Sequence, residues 1–249
     1  MIRRDDGAAG PGGGPQLVLG SASPGRAEVL TRARVSFRVV VSAVDEEAVG
    51  ATRPGASPRE LAVLLAEAKG RDVAARVAAE GVEAPTLVLG CDSVFELDGV
   101  AYGKPYEPEV ALERWRAQAG RTGTLHSGHW LGLVAPGAGT PPESDTAAGL
   151  PGGDVAGRRS SPVDLADLPQ VSGPVSADVR FAAVTEAEAR AYVATGEPLH
   201  CAGAFTVDGA GAALIDGVDG DPNAVIGLSV SWLRAACGRL GVDFTQWWM

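Results

Sequence analysis

Short apolar runs alternate along the chain with longer stretches in which apolar residues recur every three or four positions. Residues 16–19 (QLVL) form a compact apolar run bounded by Gly20, the pattern of a buried strand. Ser23 and Pro24 follow as a helix N-cap and first helical residue. Residues 37–42 (FRVVVS) predict a second strand, ending in the acidic stretch Val44-Asp-Glu-Glu47. Ser57-Pro-Arg-Glu60 is a capping box. The helix it opens carries Leu61, Leu64, Leu65 and Ala68 on one face, with Lys69 next. Residues 86–90 (TLVLG) predict a buried strand, with Asp92 just past its end. Asp98-Gly99 reads as a hairpin turn leading into Gly103-Lys-Pro105. A helix over 108–119, stopped by Gly120, and a strand over 124–134 complete this half.

The periodicity then fades. Residues 136–174 are rich in Gly, Pro, Ser, Ala and Asp, a composition that cannot repay its ordering entropy, so a disordered insertion is expected there. Pattern resumes near Val179. Thr185-Glu-Ala-Glu188 is a second capping box, opening a short helix that ends at Gly196. A loop over 197–203 precedes two short strands, 204–207 and 213–215, joined by a Gly-containing turn. Asp221-Pro222 starts a last helix that holds Val225, Leu228, Trp232, Leu233 and Ala236. Strands alternating with helices imply an α/β fold. The expected organisation is a disordered tail over 1–15 and one domain over 16–249 interrupted by the insertion.

Composition narrows the function. Thirty-one acidic against 21 basic residues give a net charge of −10, which excludes a generic nucleic-acid-coating role. No apolar run approaches a membrane span, and the Gly-rich start lacks a signal-peptide core. The cysteines Cys91, Cys201 and Cys237 have no metal-binding spacing and are odd in number, which fits a reducing, cytoplasmic compartment.

Candidate chemistry gathers at strand ends and capped turns. Gly20-Ser-Ala-Ser-Pro-Gly-Arg26 suits an anion, because helix N-terminal N–H groups, Ser21, Ser23 and Arg26 can all donate toward it. Asp45, Glu46, Lys69, Asp92 and Lys104 occupy similar places. Cations for phosphate oxygens beside carboxylates for a metal or a water are what phosphoanhydride hydrolysis requires. His126, His129 and His200 lack zinc-ligand spacing, and no Walker-type or dinucleotide glycine loop is present.

The ordered set of Ser21-Ala-Ser-Pro-Gly-Arg26, Val44-Asp-Glu46, Ala68-Lys69, Gly90-Cys-Asp-Ser93, Gly103-Lys-Pro105, Gly120-Arg-Thr122, His126-Ser-Gly128, Gly196-Glu-Pro198, Ala202-Gly-Ala-Phe205 and Gly220-Asp-Pro-Asn223 resembles the Maf family. The resemblance covers nearly the whole chain outside the tail and the insertion. It implies an elongated mixed-sheet α/β fold with a central cleft, similar to inosine triphosphate pyrophosphatases. It also implies a cytoplasmic, usually homodimeric nucleoside triphosphate pyrophosphatase that cuts between the α- and β-phosphates with a divalent metal, Mg²⁺ or Mn²⁺. The family's catalytic aspartate falls on Asp92, and its phosphate-binding residues fall on Ser21, Ser23, Arg26, Lys69 and Lys104. Its metal-side acid is Glu46, with Asp92 as a second ligand. Three positions tied to base selectivity depart from the family pattern: Gly25 replaces Arg, Ser93 replaces Thr and Asp208 replaces Gln. Cys201 stands where a Lys is common. These departures leave a second reading open, a nucleotide-binding regulator of cell division with little catalysis.

Overall fold

A computed structural model describes residues 14–136 and 167–248. An open mixed sheet runs through it, built from β1 (Gln16–Leu19), β2 (Arg38–Val39), β3 (Thr86–Leu97), β4 (Val100–Tyr102), β5 (Thr122–Val134), β6 (Gln170–Phe181) and β7 (Ile215–Asp219). The order is β2-β1-β3-β5-β6-β7, with β4 added to the free side of β3. Only the β1–β2 and β1–β3 pairs are parallel. The helices are α1 (Pro24–Arg32), α2 (Glu46–Ala51), α3 (Pro58–Glu80), α4 (Pro108–Gln118), α5 (Glu186–Ala194), α6 (Pro222–Ile226) and α7 (Val230–Arg239).

The predicted caps all form. Ser23 accepts from the Arg26 N–H, Ser57 and Thr185 close reciprocal capping boxes with Glu60 and Glu188, and Asp221 accepts from Asn223 and Ala224. The Asp98-Gly99 turn also forms, with both residues at positive φ, 55° and 78°, as a two-residue hairpin between β3 and β4 demands.

Five expectations change. The second strand shrinks from 37–42 to Arg38–Val39, because β2 is an edge strand that pairs only Val18 with Arg38 and Leu19 with Val39. The acidic stretch after it is a helix start: Asp45 caps α2 by accepting from Glu47 and Ala48. The strand expected over 86–90 continues to Leu97, so Asp92 lies inside it; β5 pairs with β3 from Thr86 to Glu96 and keeps the ladder unbroken. No hairpin forms over 204–215. Ala202–Ala204 and Gly209–Leu214 are 3-10 turns, and the strand begins only at Ile215, on β6. The single last helix is two, because Gly227 has φ 123°, outside the helical range, and Ser229 caps α7 afresh.

The tail over 1–13 and residues 137–166 of the expected insertion lie outside the described residues. Its final part, from Gln170, belongs to β6, paired with β5 from Gly132 to Thr122.

The buried side chains form three clusters. One packs β1, α1 and α7 around Leu19, Leu30 and Trp247. A second packs α4 and α5 on the other half of the sheet around Phe95, Trp115 and Phe181. The third lies under α3, around Val73, Val77 and Trp130. α3 rests directly on the strands because glycines meet at the crossing. A Cβ on Gly128 would run into the Ala62 carbonyl, and one on Gly90 would come within 2.6 Å of the Gly70 nitrogen.

Candidate active site

The site arises where β3 changes partners. β1 pairs with β3 over Thr86–Leu89, and β4 pairs with it over Phe95–Leu97. Residues 90–94 have no strand on that side among the described residues, and a cleft of about 990 Å³ opens there. Ser21, Ser23, Gly25, Arg26, Glu46, Lys69, Asp92, Ser93, Lys104 and Asp208 all line it. Every residue singled out from the sequence for chemistry through the family resemblance therefore faces one space.

Asp92 is 7 % exposed and sits on the floor. Because α3 crosses so closely, Lys69 reaches it, with Nζ 2.5 Å from Asp92 Oδ1 and 2.7 Å from Glu46 Oε1. The ammonium thus bridges two carboxylates. Asp92 Oδ2 has no protein hydrogen bond among the described residues. Burial works against ionisation of Glu46. The Lys69 hydrogen bond and the charges of Lys69, Lys104 and Arg26 outweigh it and hold the carboxyl below the usual range.

Arg26 is buried and engages three segments. Its Nε donates to the Gly227 carbonyl at 3.0 Å, Nη1 to Ser21 Oγ and the Cys91 carbonyl, both at 2.9 Å, and Nη2 to Ser93 Oγ at 3.2 Å. Four of the five guanidinium N–H groups are therefore used within the protein. The residue installs a fixed positive charge in the floor and keeps one donor for a ligand. Ser21 Oγ accepts from Arg26 and from the Ser23 N–H at 3.2 Å, which leaves its own proton to give. Ser23 spends its oxygen on the α1 cap.

The hydroxyl of Ser93 has a defined direction. Fully buried Ser127 donates to the Ala224 carbonyl at 2.7 Å, so the 2.9 Å contact between the two hydroxyls uses the Ser93 proton. Ser93 consequently presents only lone pairs to Arg26 and to the cleft. Gly25 has Ile226 over it, and a Cβ there would stand 3.0 Å from Ile226 Cγ2. Asp208 stands on the rim, half-exposed and 4.0 Å from the Arg32 guanidinium. Cys201 also lines the cleft; burial first, then the charges of Glu197 and Asp208, push its thiol up, against the pull of Lys104.

Several lining residues escaped sequence reasoning. Glu197 accepts from Tyr192, Thr206 and the Ala210 and Gly211 N–H groups, and so folds the 206–211 segment that carries Asp208. Its only signal was the Gly196-Glu-Pro198 motif. Tyr106 and His200 meet at the mouth of the cleft, and neither belonged to a recognised pattern.

Among the described residues no group of three or more His, Cys, Asp or Glu could hold a metal, and no helix is long and apolar enough to cross a membrane.

Fold and site together define an α/β protein with a charged cleft set at an interrupted strand pairing. A family model described as Maf-like protein matches residues 16–146 and 165–240, and the chain belongs to that family. It is 45 % identical over 233 residues to a protein of Streptomyces coelicolor named nucleoside triphosphate pyrophosphatase, covering 94 % of each chain. Proteins of the same name from Streptomyces avermitilis and Saccharopolyspora erythraea are each 42 % identical to it, over 94 % of this chain and 94 % and 97 % of their own.

Proposed function

We propose that the protein is a nucleoside triphosphate pyrophosphatase that hydrolyses the α–β anhydride to a nucleoside monophosphate and pyrophosphate. The observation that carries this reading is the convergence of Asp92, Lys69, Glu46 and Arg26 in one cleft, with the serines of the β1–α1 turn beside them. The names of its relatives support it.

In this reading Asp92 is the general base. Lys69 holds Oδ1 and fixes the carboxylate, so Oδ2 is the atom that takes the proton from water. The water oxygen bonds to the α-phosphorus, the bridging P–O bond breaks, and the electron pair leaves with pyrophosphate. Arg26, Lys69 and Lys104 supply preorganised positive charge against the oxygens of the polyphosphate, and the Ser21 proton adds a donor.

The donor set also fits a divalent cation of the Mg²⁺ or Mn²⁺ kind. Such ions bind through one or two carboxylates and complete their shell with water and substrate phosphate. Glu46 and Asp92 are two carboxylates already gathered on one cation, the Lys69 ammonium. A bound metal would offset the charge of the triphosphate. Free Cys91, Cys201 and Cys237 support a cytoplasmic setting, and the family resemblance extends the proposal to a homodimer.

The test is incubation of purified protein with Mg²⁺ or Mn²⁺ and a panel of nucleotides. Pyrophosphate and monophosphate are the expected products. Orthophosphate alone would reject the reading, and tight binding without turnover would favour the regulator.

A further inference from the structure

The cleft has two kinds of lining. The floor and the β1–α1 wall are charged, with Arg26, Lys69 and Asp92. The segments after β4 and α5 add apolar and aromatic lining, Ala101, Ala202 and Phe205 with Tyr106 and His200, among the charges of Lys104, Glu197 and Asp208. A nucleotide likewise joins a charged polyphosphate to an aromatic base.

Tyr106 is built to stay in that lining. It is 58 % exposed and lines the cleft. Its φ is 60°, the left-handed region that bulky side chains rarely occupy, and such strain concentrates at ligand clamps. The strain is held by a hydrogen bond from the Tyr106 N–H to the Leu199 carbonyl, 2.9 Å, which ties the β4–α4 loop to the turn over Glu197–His200. That tie brings the exposed His200 ring edge-on to Tyr106, with centroids 5.9 Å apart at 66°. Lys104, two residues earlier, carries its charge toward Glu46. One short loop therefore serves both halves of a nucleotide.

We infer that Tyr106 and His200 form the seat of the nucleobase, which stacks against the Tyr106 ring while the polyphosphate lies along Lys69 and Arg26. This rests on the pyrophosphatase reading above and adds where the base goes. Stacking is sequence-tolerant, since every base has a π face, so the seat supplies affinity for nucleotides as a class and leaves the choice of base to hydrogen-bonding groups elsewhere.

The experiment compares Tyr106→Ala and Tyr106→Phe with wild type on a cleaved nucleoside triphosphate, using inorganic tripolyphosphate as a base-free competitor. Tyr106→Ala is expected to raise KM between about 5-fold and 150-fold, the range that loss of one base–aromatic stack gives, with kcat changed far less. The inhibition constant of tripolyphosphate stays at the wild-type value, and Tyr106→Phe keeps the wild-type KM. An unchanged KM in an active Tyr106→Ala enzyme overturns the seat. So does an equal loss of tripolyphosphate affinity, or a change in sedimentation alone, which would make the pair a subunit contact. If wild type binds nucleotides without cleaving them, the pyrophosphatase reading fails, and dissociation constants for nucleotide and tripolyphosphate read the same contrast.

Discussion

Asp92 shows how a single side chain draws its chemistry from its surroundings. Its carboxylate is nearly enclosed, one oxygen is fixed by Lys69, and the other has no protein partner among the described residues. Asp92→Asn keeps the size and still accepts from Lys69, but it loses the proposed base. Pyrophosphate release should fall by about 10²- to 10⁴-fold while thermal melting shows a folded protein. A loss under tenfold would assign proton removal to another group. At this scale much was legible in the sequence. Arg26, Lys69 and Asp92 each stand in a short local pattern, and all three reach the cleft. Tyr106 and His200 were not legible, because nothing near either residue announces a meeting made by a hydrogen bond across more than ninety positions of chain. The role of Arg26 lies in contacts distant in sequence: a motif suggests a phosphate grip, whereas the geometry engages most of its donors in holding Ser21, Cys91, Ser93 and Gly227 together.

Helices were easier to read than strands. The caps at Ser23, Ser57, Thr185 and Asp221 are local chemistry, with side chain and N–H groups within three residues of each other. Strand limits depend on partners distant in sequence. β3 outruns its apolar core because β5 pairs with it throughout, and β2 falls short because it has one neighbour and two registered pairs. The α3 crossing makes a sharper point. Lys69 reaches Asp92 only because Gly70, Gly90 and Gly128 let the helix lie on the sheet backbone. Gly128→Ala places a methyl against the Ala62 carbonyl, and backbone cannot swing aside as a side chain can. Overpacking of this kind costs about 1–3 kcal/mol, so a lower urea midpoint with an unchanged m-value is expected. Activity should fall further than stability explains, since the Lys69–Asp92 contact depends on the same crossing.

Across the whole molecule, the response to acid follows from a histidine on the strand beside Asp92, opposite Cys91. His129 is fully buried on β5, accepts the Ser229 N–H at 2.9 Å and stacks on Trp232 with centroids 4.8 Å apart. Burial first, and then the positive charge of Arg26, push it down from 6.5 to about 4. The unfolded chain therefore takes up this proton at a higher pH than the folded one. The contribution is fully present above pH 6.5 and is lost as pH falls toward 4. The linkage is roughly 3 kcal/mol at its limit. Melting temperatures between pH 7 and 4.5 should decline more steeply in wild type than in His129→Gln; parallel slopes would remove His129 as the cause.

The interruption beside β3 has one more consequence. A strand that gives up its neighbour for five residues leaves its main-chain groups on that side to partners other than a strand, and Arg26 takes one of them, the Cys91 carbonyl. On the proposed function, a nucleotide bound in the cleft would lie beside this gap. The expected sign is local: amide exchange along 90–94 slows when a nucleotide is added, and unchanged exchange there would place the ligand away from the gap.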